Sequence, residues 1–476
     1  MLKKLFDRAF GRKPATSPAN APGTQASAKV DAVAINLQVI ARDGHCISRK
    51  HISPNALRVL YKLRDAGFTA YLVGGAVRDL LLQGLPKDFD VATNAHPEQV
   101  KHLFRNCRLI GRRFRLAHVH YGAEIIEVAT FRGIEDDGSG ARELVDGRIV
   151  RDNVYGTIEE DAVRRDFTVN ALYYAIDDYS VRDYVGGFQD VRDRVLRLIG
   201  EPTRRLREDP VRMLRTARFA AKLGFSIDPA IVSAISQLKD LLNAAPAARL
   251  FDECLKMFMA GYALASFRQL WQLRLFEVLF PETALALRAD PADLVLLETA
   301  LTSTDQRIAD DKPVTPAFLF AALLWPAVKV MAARNQQRGA EDPWDDAIHS
   351  VVSEQTSRIA LPKRFSLPMQ EIWSLQSRFE TRQKKRVGRL LAHPRFRAAF
   401  DFLALRAHAD PTLQPTLAFW LSLASGEAAA SASTLGDLPT AADGEALSPP
   451  KKRRRRRRKP RLDANQTAGA GDHDAG

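Results

Sequence analysis

The pattern of strand and helix signals changes near residue 200, and this change limits the architectures open to the chain. Before it, short apolar stretches alternate with amphipathic segments: TAYLV, which ends at Val73, precedes a glycine turn and a helix, and DFDVAT precedes another helix. After it, apolar residues recur at three- and four-residue spacing, which is typical of amphipathic helices. The sequence therefore predicts an α+β head with a small mixed β-sheet, followed by an all-helical part.

Length and composition divide the chain further. Its 476 residues are too many for one compact core and suggest about two to four domains. Residues 1–44 open with a stretch rich in Ala, Pro, Ser and Thr, and residues 424–450 are similar. Such segments bury too little apolar surface to fold. We therefore predict a disordered leader over 1–44, a folded part over 45–423, and a disordered linker and tail over 424–476.

The charge of the chain is unevenly spread. The 70 Lys and Arg residues exceed the 56 Asp and Glu residues by 14, and residues 451–476 hold ten of the basic side chains against three Asp. Half of the excess therefore lies in one short Arg/Lys-rich tail. A cationic excess indicates a polyanionic partner, and RNA, DNA and anionic lipid all remain open.

The cysteines and the hydropathy indicate a compartment. Cys46, Cys107 and Cys254 are odd in number and far apart, which fits neither a disulfide framework nor a zinc cluster and suits a reducing cytoplasm. No apolar run approaches the roughly 18–20 residues that span a bilayer. We expect a cytoplasmic protein without a transmembrane segment.

Two glycines and two aspartates form the first candidate site. Gly74 and Gly75 follow an apolar strand, where glycine lets a phosphate approach the backbone closely. Arg78, one helical step further, can add a guanidinium to phosphate oxygens. Asp88 and Asp90 are two apart in DFDVAT, so a strand puts both carboxylates on one face and turns the intervening residue into the core. Two like charges so close imply a divalent metal ion between them.

A third carboxylate is expected from a neighbouring strand, because two-metal phosphoryl-transfer sites usually need one. AEIIEVATFR offers Glu124 and Glu127, which are three apart and therefore face opposite sides of a strand. Glu124 directly follows a YGA turn and is explained as a solvated strand end. Glu127 lies between two apolar residues in mid-strand, and we predict that it joins the two aspartates.

EEDAVRRDFTVNALYY is the second candidate motif. Asp166 and Asn170 are four apart, so on a helix they share a face and can hold a ribose hydroxyl or a triphosphate together with Arg165. A charged start of an amphipathic helix explains the same pattern equally well.

REDPVRMLRTARF is the third candidate motif. Asp209 followed by Pro210 predicts a helix cap with proline in the first turn. Arg212 and Arg215 follow at three-residue spacing, on the side of the cap. An Asp acceptor beside an Arg donor can pair with a base edge much as another base would, in place of a template. A cap and a base reader are compatible roles for Asp209.

Taken together, these motifs resemble a known family. GGAVRDLLLQG, DFDVAT, RRDFTVNAL and EDPVRMLRTARF, in this order and spacing, are similar to the class II nucleotidyltransferases, which include the tRNA CCA-adding enzymes and the bacterial poly(A) polymerases. LIGRRFRLAHV, residues 109–119, resembles the signature of the poly(A) polymerase branch. The likeness continues into the helical part through PVTPAFLFAALLW and HPRFRAAFDFLALRA, and it covers roughly residues 40–410.

The resemblance implies a layout and a role for each motif. It implies a catalytic head over 45–200, a helical neck for base recognition over 201–265, and a helical body and leg for RNA binding over 266–423. The residues that it implies are the metal-binding Asp88, Asp90 and Glu127; Gly74, Gly75 and Arg78 at the triphosphate; Arg165, Asp166 and Asn170 at the triphosphate and sugar; and Asp209 with Arg212 at the adenine.

The implied reaction is template-independent polyadenylation. An RNA 3′-hydroxyl would attack the α-phosphate of ATP and release pyrophosphate, with two Mg²⁺ ions at the carboxylates. RNA 3′ ends and ATP are the expected partners, and RNA-decay proteins are candidate partners. CCA addition to tRNA is the alternative that shares every catalytic residue. A non-catalytic RNA-binding protein is the second alternative, although such a protein has no reason to concentrate acids beside RNA.

Overall fold

The computed structural model describes residues 35–111, 115–133, 142–145, 148–152, 154–380 and 383–427. Several predicted features lie outside these residues: most of the leader, most of the linker, the Arg/Lys-rich tail, and residues 112–114 of the polymerase signature. The chain divides into two compact units, which we call the head (residues 1–165 and 170–187) and the helical unit (residues 166–169 and 188–476).

Both ends of the folded part extend beyond their predicted bounds. Gln38–Ile40 form a strand in which Ile40 is buried, so the predicted leader over 1–44 is too long. The average composition of residues 1–44 hides the short apolar stretch that forms this strand. At the other end, the last helix continues to Glu427, past the predicted start of the linker at 424. The head unit ends at Gly187, close to the predicted boundary near residue 200. The division of the helical unit into a neck and a body stays a prediction.

The head contains strands and short helices in alternation. Its strands are β1 (Gln38–Ile40), β2 (Ala70–Val73), β3 (Asp90–Thr93), β4 (Cys107–Ile110), β5 (Leu116–Tyr121), β6 (Glu124–Thr130), β7 (Arg142–Val145), β8 (Arg148–Asp152), β9 (Leu172–Ala175) and β10 (Val181–Asp183). Its helices are α1 (Pro54–Asp65), α2 (Gly75–Leu81), α3 (Pro97–Leu103) and α4 (Ile158–Arg164).

Eight of the described strands form one mixed sheet, in the order β1-β10-β9-β2-β3-β6-β5-β4. Within that sheet β3 and β6 run parallel, and every other neighbouring pair is antiparallel. β7 and β8 pair separately as an antiparallel hairpin. The mixed sheet agrees with the predicted α+β class, and its one parallel pair lies at the centre, where the first candidate site begins.

Local signals define the elements around this centre. The Ser53 hydroxyl accepts the backbone N–H groups of Asn55 and Ala56 and so caps α1, as its Ser-Pro start predicts. The chain leaves that helix through Gly67 with a positive φ of 85°. On one face of the sheet, Tyr71 and Tyr173 pack with Ala162 of α4 in a buried cluster. The glycine turn and the start of β3 are therefore held by a packed core.

The helical unit contains the remaining elements, and it begins at the boundary with α5 (Gly187–Asp193). Its two short strands, β11 (Val195–Leu196) and β12 (Ser226–Ile227), pair in parallel. Its other helices are α6 (Pro202–Glu208), α7 (Val211–Leu223), α8 (Pro229–Leu238), α9 (Ala247–Phe258), α10 (Ala263–Gln272), α11 (Phe276–Leu279), α12 (Pro281–Ala289), α13 (Pro291–Ala309), α14 (Pro316–Gln337), α15 (Pro343–Ile359), α16 (Lys363–Ser374), α17 (Lys384–Leu391), α18 (Phe396–Ala409) and α19 (Gln414–Glu427).

α14 is the central helix of this unit. Among the described residues it alone is long and apolar enough to cross a membrane, and 67% of its most apolar window is buried inside the structure. Trp373 of α16 donates its indole N–H to the backbone carbonyl of Ala321 in α14 at 3.0 Å. Burial of this kind is typical of the core helix of a folded unit, and a single such helix is weak evidence for a membrane span.

Candidate active site

Two acidic residues lie side by side at the centre of the head sheet. Asp90 is the first residue of β3, and the register places it directly opposite Glu127 of β6. Neighbouring strands lie about 4.8 Å apart, and residues in register share a face of the sheet. Asp88 precedes β3, which is shorter than the predicted DFDVAT strand, while Phe89 is buried as predicted. The sheet therefore brings Asp90 and Glu127 together.

Electrostatics shows how closely these acids interact. Burial of the carboxyl group and the negative charge of Glu127 raise the pKa of Asp90 to about 6, and Asp88 acts in the same direction. Arg165 exerts the largest opposing influence and His118 a smaller one. Such repulsion is what a divalent cation relieves. No group of three or more acidic, histidine or cysteine side chains among the described residues already has metal-ligand spacing, so the carboxylates would have to close on an ion.

The two glutamates of β6 have different partners. Glu124 accepts the Asn55 amide N–H at 2.6 Å and the hydroxyl of Ser53, so it fastens the start of α1 to the sheet. Our interpretation of Glu124 as a solvated strand end is therefore wrong. Glu127 instead lies 3.3 Å from Nε2 of His118 on the adjacent β5. The register puts Glu127, and not Glu124, beside Asp90.

The glycine turn connects β2 to α2. Gly74 has a φ of 73°, a backbone conformation that favours glycine, and its N–H donates to the carbonyl of Leu172 in β9. A Cβ at Gly74 would lie 3.4 Å from Nη1 of Arg165, and one at Gly75 would lie 3.5 Å from Nη2 of Arg78. Two guanidinium groups therefore lie against the turn, where the sequence predicts phosphate binding.

Arg78 is held more tightly than the sequence suggests. It is 1% exposed, and its Nε and Nη2 donate to Oδ1 of Asp79 at 2.8 and 2.6 Å. Its Nη1 donates to Oδ1 of Asn170 at 2.5 Å. This geometry favours a role in which Arg78 orients Asn170 and supports the glycine turn. Direct phosphate binding by Arg78 stays a prediction.

Asp166 and Asn170 do not share a helix face, and that prediction is wrong. α4 ends at Arg164, and Arg165 is already extended, with a ψ of 168°. The backbone of Asp166 instead accepts from Ile199, and Thr168–Asn170 form a short 3₁₀ helix. Asn170 belongs to the head, whereas Asp166 belongs to the helical unit.

The third motif lies at the start of α7 in the helical unit. The Asp209 carboxylate accepts the backbone N–H of Val211 at 3.2 Å, so the predicted cap is present. Its charge partner, however, is Arg249 of α9, which donates from Nη1 and Nη2 at 2.9 and 2.8 Å. Arg212 pairs with Glu208 at 3.2 Å instead. Asp209 therefore forms a bidentate pair with Arg249, and the reading of a base edge by Asp209 and Arg212 stays a prediction.

The remaining member of that motif, Arg215, binds an acid of the second motif. Its Nη2 and Nε lie 2.5 and 2.9 Å from Oδ2 of Asp166. Arg215 also lies 3.7 Å from Glu253, which binds Arg218 at 2.8 Å. Asp166 and Arg215 thus form one ion pair within the helical unit.

Four residues of these arrangements were missed at the level of sequence: Asp161, Tyr173, Arg249 and, as a neighbour of Glu127, His118. Asp161 had a signal, because it lies four residues before Arg165 and that spacing favours an ion pair on a helix. Arg249 is 40 residues from Asp209 and had none. Only the packing of α7 against α9 reveals it.

Comparisons with known proteins show the family to which the chain belongs. Residues 70–197 match the family described as poly A polymerase head domain, residues 224–287 the family described as probable RNA and SrmB-binding site of polymerase A, and residues 336–460 the family described as polymerase A arginine-rich C-terminus. Poly(A) polymerase I of Escherichia coli is 51% identical over 393 residues, which cover 80% of this chain and 84% of that enzyme. The chain belongs to the poly(A) polymerase I family. The predicted family and its enzyme class, polynucleotide adenylyltransferase, are confirmed.

CCA-adding enzymes are more distant relatives of the chain. That of Bacillus subtilis is 38% identical over 224 residues, which cover 47% of the chain and 55% of the relative. The solved structure of the Bacillus stearothermophilus CCA-adding enzyme in complex with CTP has 25% identity and a TM-score of 0.51, and it covers 77% of this chain and 83% of its own. These similarities support the nucleotidyltransferase fold, and the longer, stronger match selects the polymerase branch.

Proposed function

We propose that the chain adds adenylates one at a time to RNA 3′ ends by transferring AMP from ATP and releasing pyrophosphate. The observation that carries this proposal is the placement of Asp90 directly opposite Glu127 on parallel strands, two residues after Asp88. Acids gathered beside a glycine turn suit a metal-assisted phosphoryl transfer, in which catalysis consists mainly of positioning and charge stabilisation.

The donor set fits magnesium. Carboxylate oxygens are the ligands that Mg²⁺ prefers. Burial and, after it, the charge of Glu127 raise the pKa of Asp90, and a cation would relieve the repulsion between these two acids. Asp88, Asp90 and Glu127 would hold one Mg²⁺, and the two aspartates with the triphosphate would hold a second. Bound there, the ions would activate the 3′-hydroxyl and neutralise charge on the departing pyrophosphate.

Other head residues would hold the triphosphate. The Gly74–Gly75 turn leaves room for phosphate oxygens, and Arg165 lies against it with its guanidinium near Gly74. Asn170 is oriented by its hydrogen bond to Arg78 and would reach the sugar or the triphosphate. Fixed donors of this kind act without reorganising as charge develops.

In the helical unit, Asp209 would select adenine. Its carboxylate is already aligned by the cap and by the bidentate pair with Arg249, and a carboxylate accepts an exocyclic amino group. We extend the proposed base reader from Asp209 and Arg212 to include Arg249. Arg215, one turn after the start of α7, binds Asp166. This pair would support the base-reading residues.

The RNA itself would be held by cationic surface, in which the Arg/Lys-rich tail takes a sequence-independent part. Such a tail follows any single strand, which suits an enzyme that extends many RNAs. RNA-decay proteins as partners, and the cytoplasm as the compartment, stay predictions.

Extension of a transcript unrelated to tRNA tests the proposal. With ATP alone we expect a ladder far longer than three nucleotides on a sequencing gel, and with CTP alone little product. Asp88→Asn protein serves as the catalytic control. Efficient incorporation of C, or a stop at CCA on a tRNA that lacks its end with no extension of the other RNA, would contradict the proposal.

A further inference from the structure

Beneath the glycine turn of the head lies a buried hydrogen-bonded trio: Asp161 of α4, Arg165 just after α4, and Tyr173 of β9. Oδ2 of Asp161 accepts from Nε and Nη2 of Arg165 at 3.2 and 2.9 Å and from the Tyr173 hydroxyl at 2.7 Å. The same hydroxyl accepts from Nε of Arg165 at 3.0 Å. Each member thus contacts the other two.

Burial distinguishes the members of this trio. Tyr173 is fully buried and Asp161 is 7% exposed, while the Arg165 side chain keeps 24% of its surface. Nη1 of Arg165 is 3.4 Å from the backbone carbonyl of Asn170 and lies against Gly74. The guanidinium therefore has a fixed inner edge, bound to Asp161 and Tyr173, and an outer part at the turn.

The ionisation states favour this arrangement. Burial opposes the charge on Arg165, but Tyr173 and Asp161 outweigh it and raise the pKa of the guanidinium above its usual value. Burial also raises the pKa of Tyr173 well above its usual value, so its hydroxyl keeps its proton and donates to Asp161. A planar guanidinium whose Nε and Nη2 are both held by hydrogen bonds presents its Nη1 in one orientation only.

We propose that Asp161 and Tyr173 are positioning residues that aim Arg165 at the β- and γ-phosphates of the bound nucleotide. The proposal rests on the proposed function, because it assumes that Arg165 serves the triphosphate. Neither residue touches substrate; both act through Arg165. Since the α-phosphate, ribose and base need not depend on this aim, the trio should govern binding of the pyrophosphate moiety specifically.

Charge-conserving variants of the full-length chain test this inference. Asp161→Glu moves the carboxylate by one methylene, and Tyr173→Phe removes only the hydroxyl, so both keep the net charge while disturbing the guanidinium. Inhibition constants for inorganic pyrophosphate and for AMP, each measured against ATP at fixed Mg²⁺, do not depend on the fraction of folded enzyme. We expect the pyrophosphate constant to rise on the order of 10-fold in Asp161→Glu and about 3-fold in Tyr173→Phe. The AMP constant should stay within about 2-fold of the parent's.

Asp183→Glu is the matched control. Asp183 is an acid of the head that is 1% exposed and accepts backbone N–H groups from Val185, Gly186 and Gly187. Its lengthening disturbs a buried acid equally but should leave both inhibition constants unchanged.

Two outcomes would overturn the inference: equal changes in both constants, or no change in either when Asp161 and Tyr173 are altered. If Asp161→Glu does not fold, Tyr173→Phe alone decides.

Arg165→Ala separates this inference from the proposed function. If that variant leaves pyrophosphate inhibition intact, the assignment of Arg165 to the triphosphate fails. If it weakens inhibition while Asp161→Glu and Tyr173→Phe do not, only the positioning inference fails.

Discussion

One group of acids in the head and one group in the helical unit have opposite electrostatic surroundings. In the head, Asp90 lies beside Glu127, and burial together with that neighbour raises its pKa to about 6. In the helical unit, burial likewise opposes ionisation of Glu253, but Arg218, Lys256 and Arg215 outweigh it and hold its pKa below the usual value. One group of acids repels its own members, and the other is supplied with cations by the fold.

This difference separates acids that await a ligand from acids that stabilise structure. A buried ion pair is costly to break from one side, because the remaining charge is left uncompensated. Crowded acids without such partners are unfavourable until a cation arrives, and are therefore candidates for function. Asp209 lies between the two classes, since Arg249 holds it firmly while it stays 24% exposed. Substitution of one acid at a time tests whether the two groups differ in this way.

The largest effect is expected at the crowded acids. Asp90→Asn should lower adenylate transfer by roughly three decades or more, because it removes a proposed metal ligand and a metal ion contributes several kcal/mol to such a transfer. The protein should stay folded, since the neighbouring acids repel this carboxylate. Extension of labelled RNA gives the rate, and a thermal melt reports folding.

The two glutamates of β6 provide the matched pair for this test. Glu127→Gln should behave like Asp90→Asn. Glu124→Gln should keep near-normal transfer and lose some stability, because Glu124 binds Ser53 and Asn55 at the start of α1. The reverse pattern would show that the wrong face of β6 had been assigned to the metal.

The next effect is expected in the Arg/Lys-rich tail, whose charge has the opposite sign. Residues 451–476 hold ten basic side chains. The affinity for RNA falls with salt, and the slope of log K against log salt changes by about 0.7 for each phosphate contact with a single strand. If about half of the ten side chains contact phosphates, deleting the tail should make this slope shallower by roughly three to four. Transfer on saturating RNA should be unaffected. An unchanged slope would assign the tail to another partner, such as an acidic protein or a membrane surface.

A paired acid that also serves function should respond in two ways. Asp209→Ala should lower stability by about 1 kcal/mol through loss of the cap. It should also change the ratio of AMP to CMP incorporation by roughly 10-fold or more, because a base reader discriminates by about 1–3 kcal/mol. Arg249→Ala should shift the same ratio. Competition between labelled ATP and CTP on one RNA measures it.

Asp228→Ala is the control for this pair of effects. Asp228 caps α8 by accepting from Ala230 and pairs with Arg197, so its loss removes a cap and an arginine partner of the same kind. It should reduce stability alone. If Asp209→Ala does no more than Asp228→Ala, then Asp209 is only a cap.

The reliability of the sequence-based predictions follows the same division between local and distant contacts. Short-range rules predicted the Ser53 and Asp209 caps and the glycine turn, because each depends on residues within a few positions. The structure places Glu127 in register with Asp90, while its role at a metal stays a prediction.

The short-range rules failed for Asp166 and Asn170. The spacing of these residues predicts that the helix continues to Asn170, but α4 ends at Arg164 because Arg165 is extended. Short-range rules do not predict pairs of residues that are distant in sequence.

The partners of the arginines illustrate this limit. Asp209 meets Arg249 across 40 positions, and Arg78 meets Asn170 across 92. The sequence shows that arginines and acids are abundant in these motifs, but many pairings satisfy the same spacing. The packing of the helices and strands determines which of these pairs form. It therefore also determines which acids have other acids, and not arginines, as neighbours.

Asp401 of α18 provides a test of stability alone, because it is a buried acid outside the candidate site. It is 9% exposed and lies 3.3 Å from Nε of Arg397, one turn earlier on the helix. Burial outweighs the attraction of Arg397 and Arg307 and raises the pKa of Asp401 to about 7, from an ordinary 3.8. The folded state therefore binds this proton more tightly than the unfolded chain does. The resulting stability is fully present below about pH 4 and is lost as the pH rises through about 7.

Asp401→Asn should accordingly stabilise the protein at high pH. At pH 8 we expect a gain on the order of 2–4 kcal/mol in unfolding free energy and a melting temperature several degrees higher, with a smaller gain at pH 5. Thermal melts of parent and variant across pH 4–9 measure this. Glu253→Gln should show the opposite sign, because the lowered pKa of Glu253 means that its charge stabilises the fold above about pH 4.5 and loses this effect on acidification. Two results would contradict this: a stability difference between parent and Asp401→Asn that does not depend on pH, or destabilisation of the variant at pH 8. Either would show that Arg397 pairs Asp401 fully and that burial does not raise its pKa.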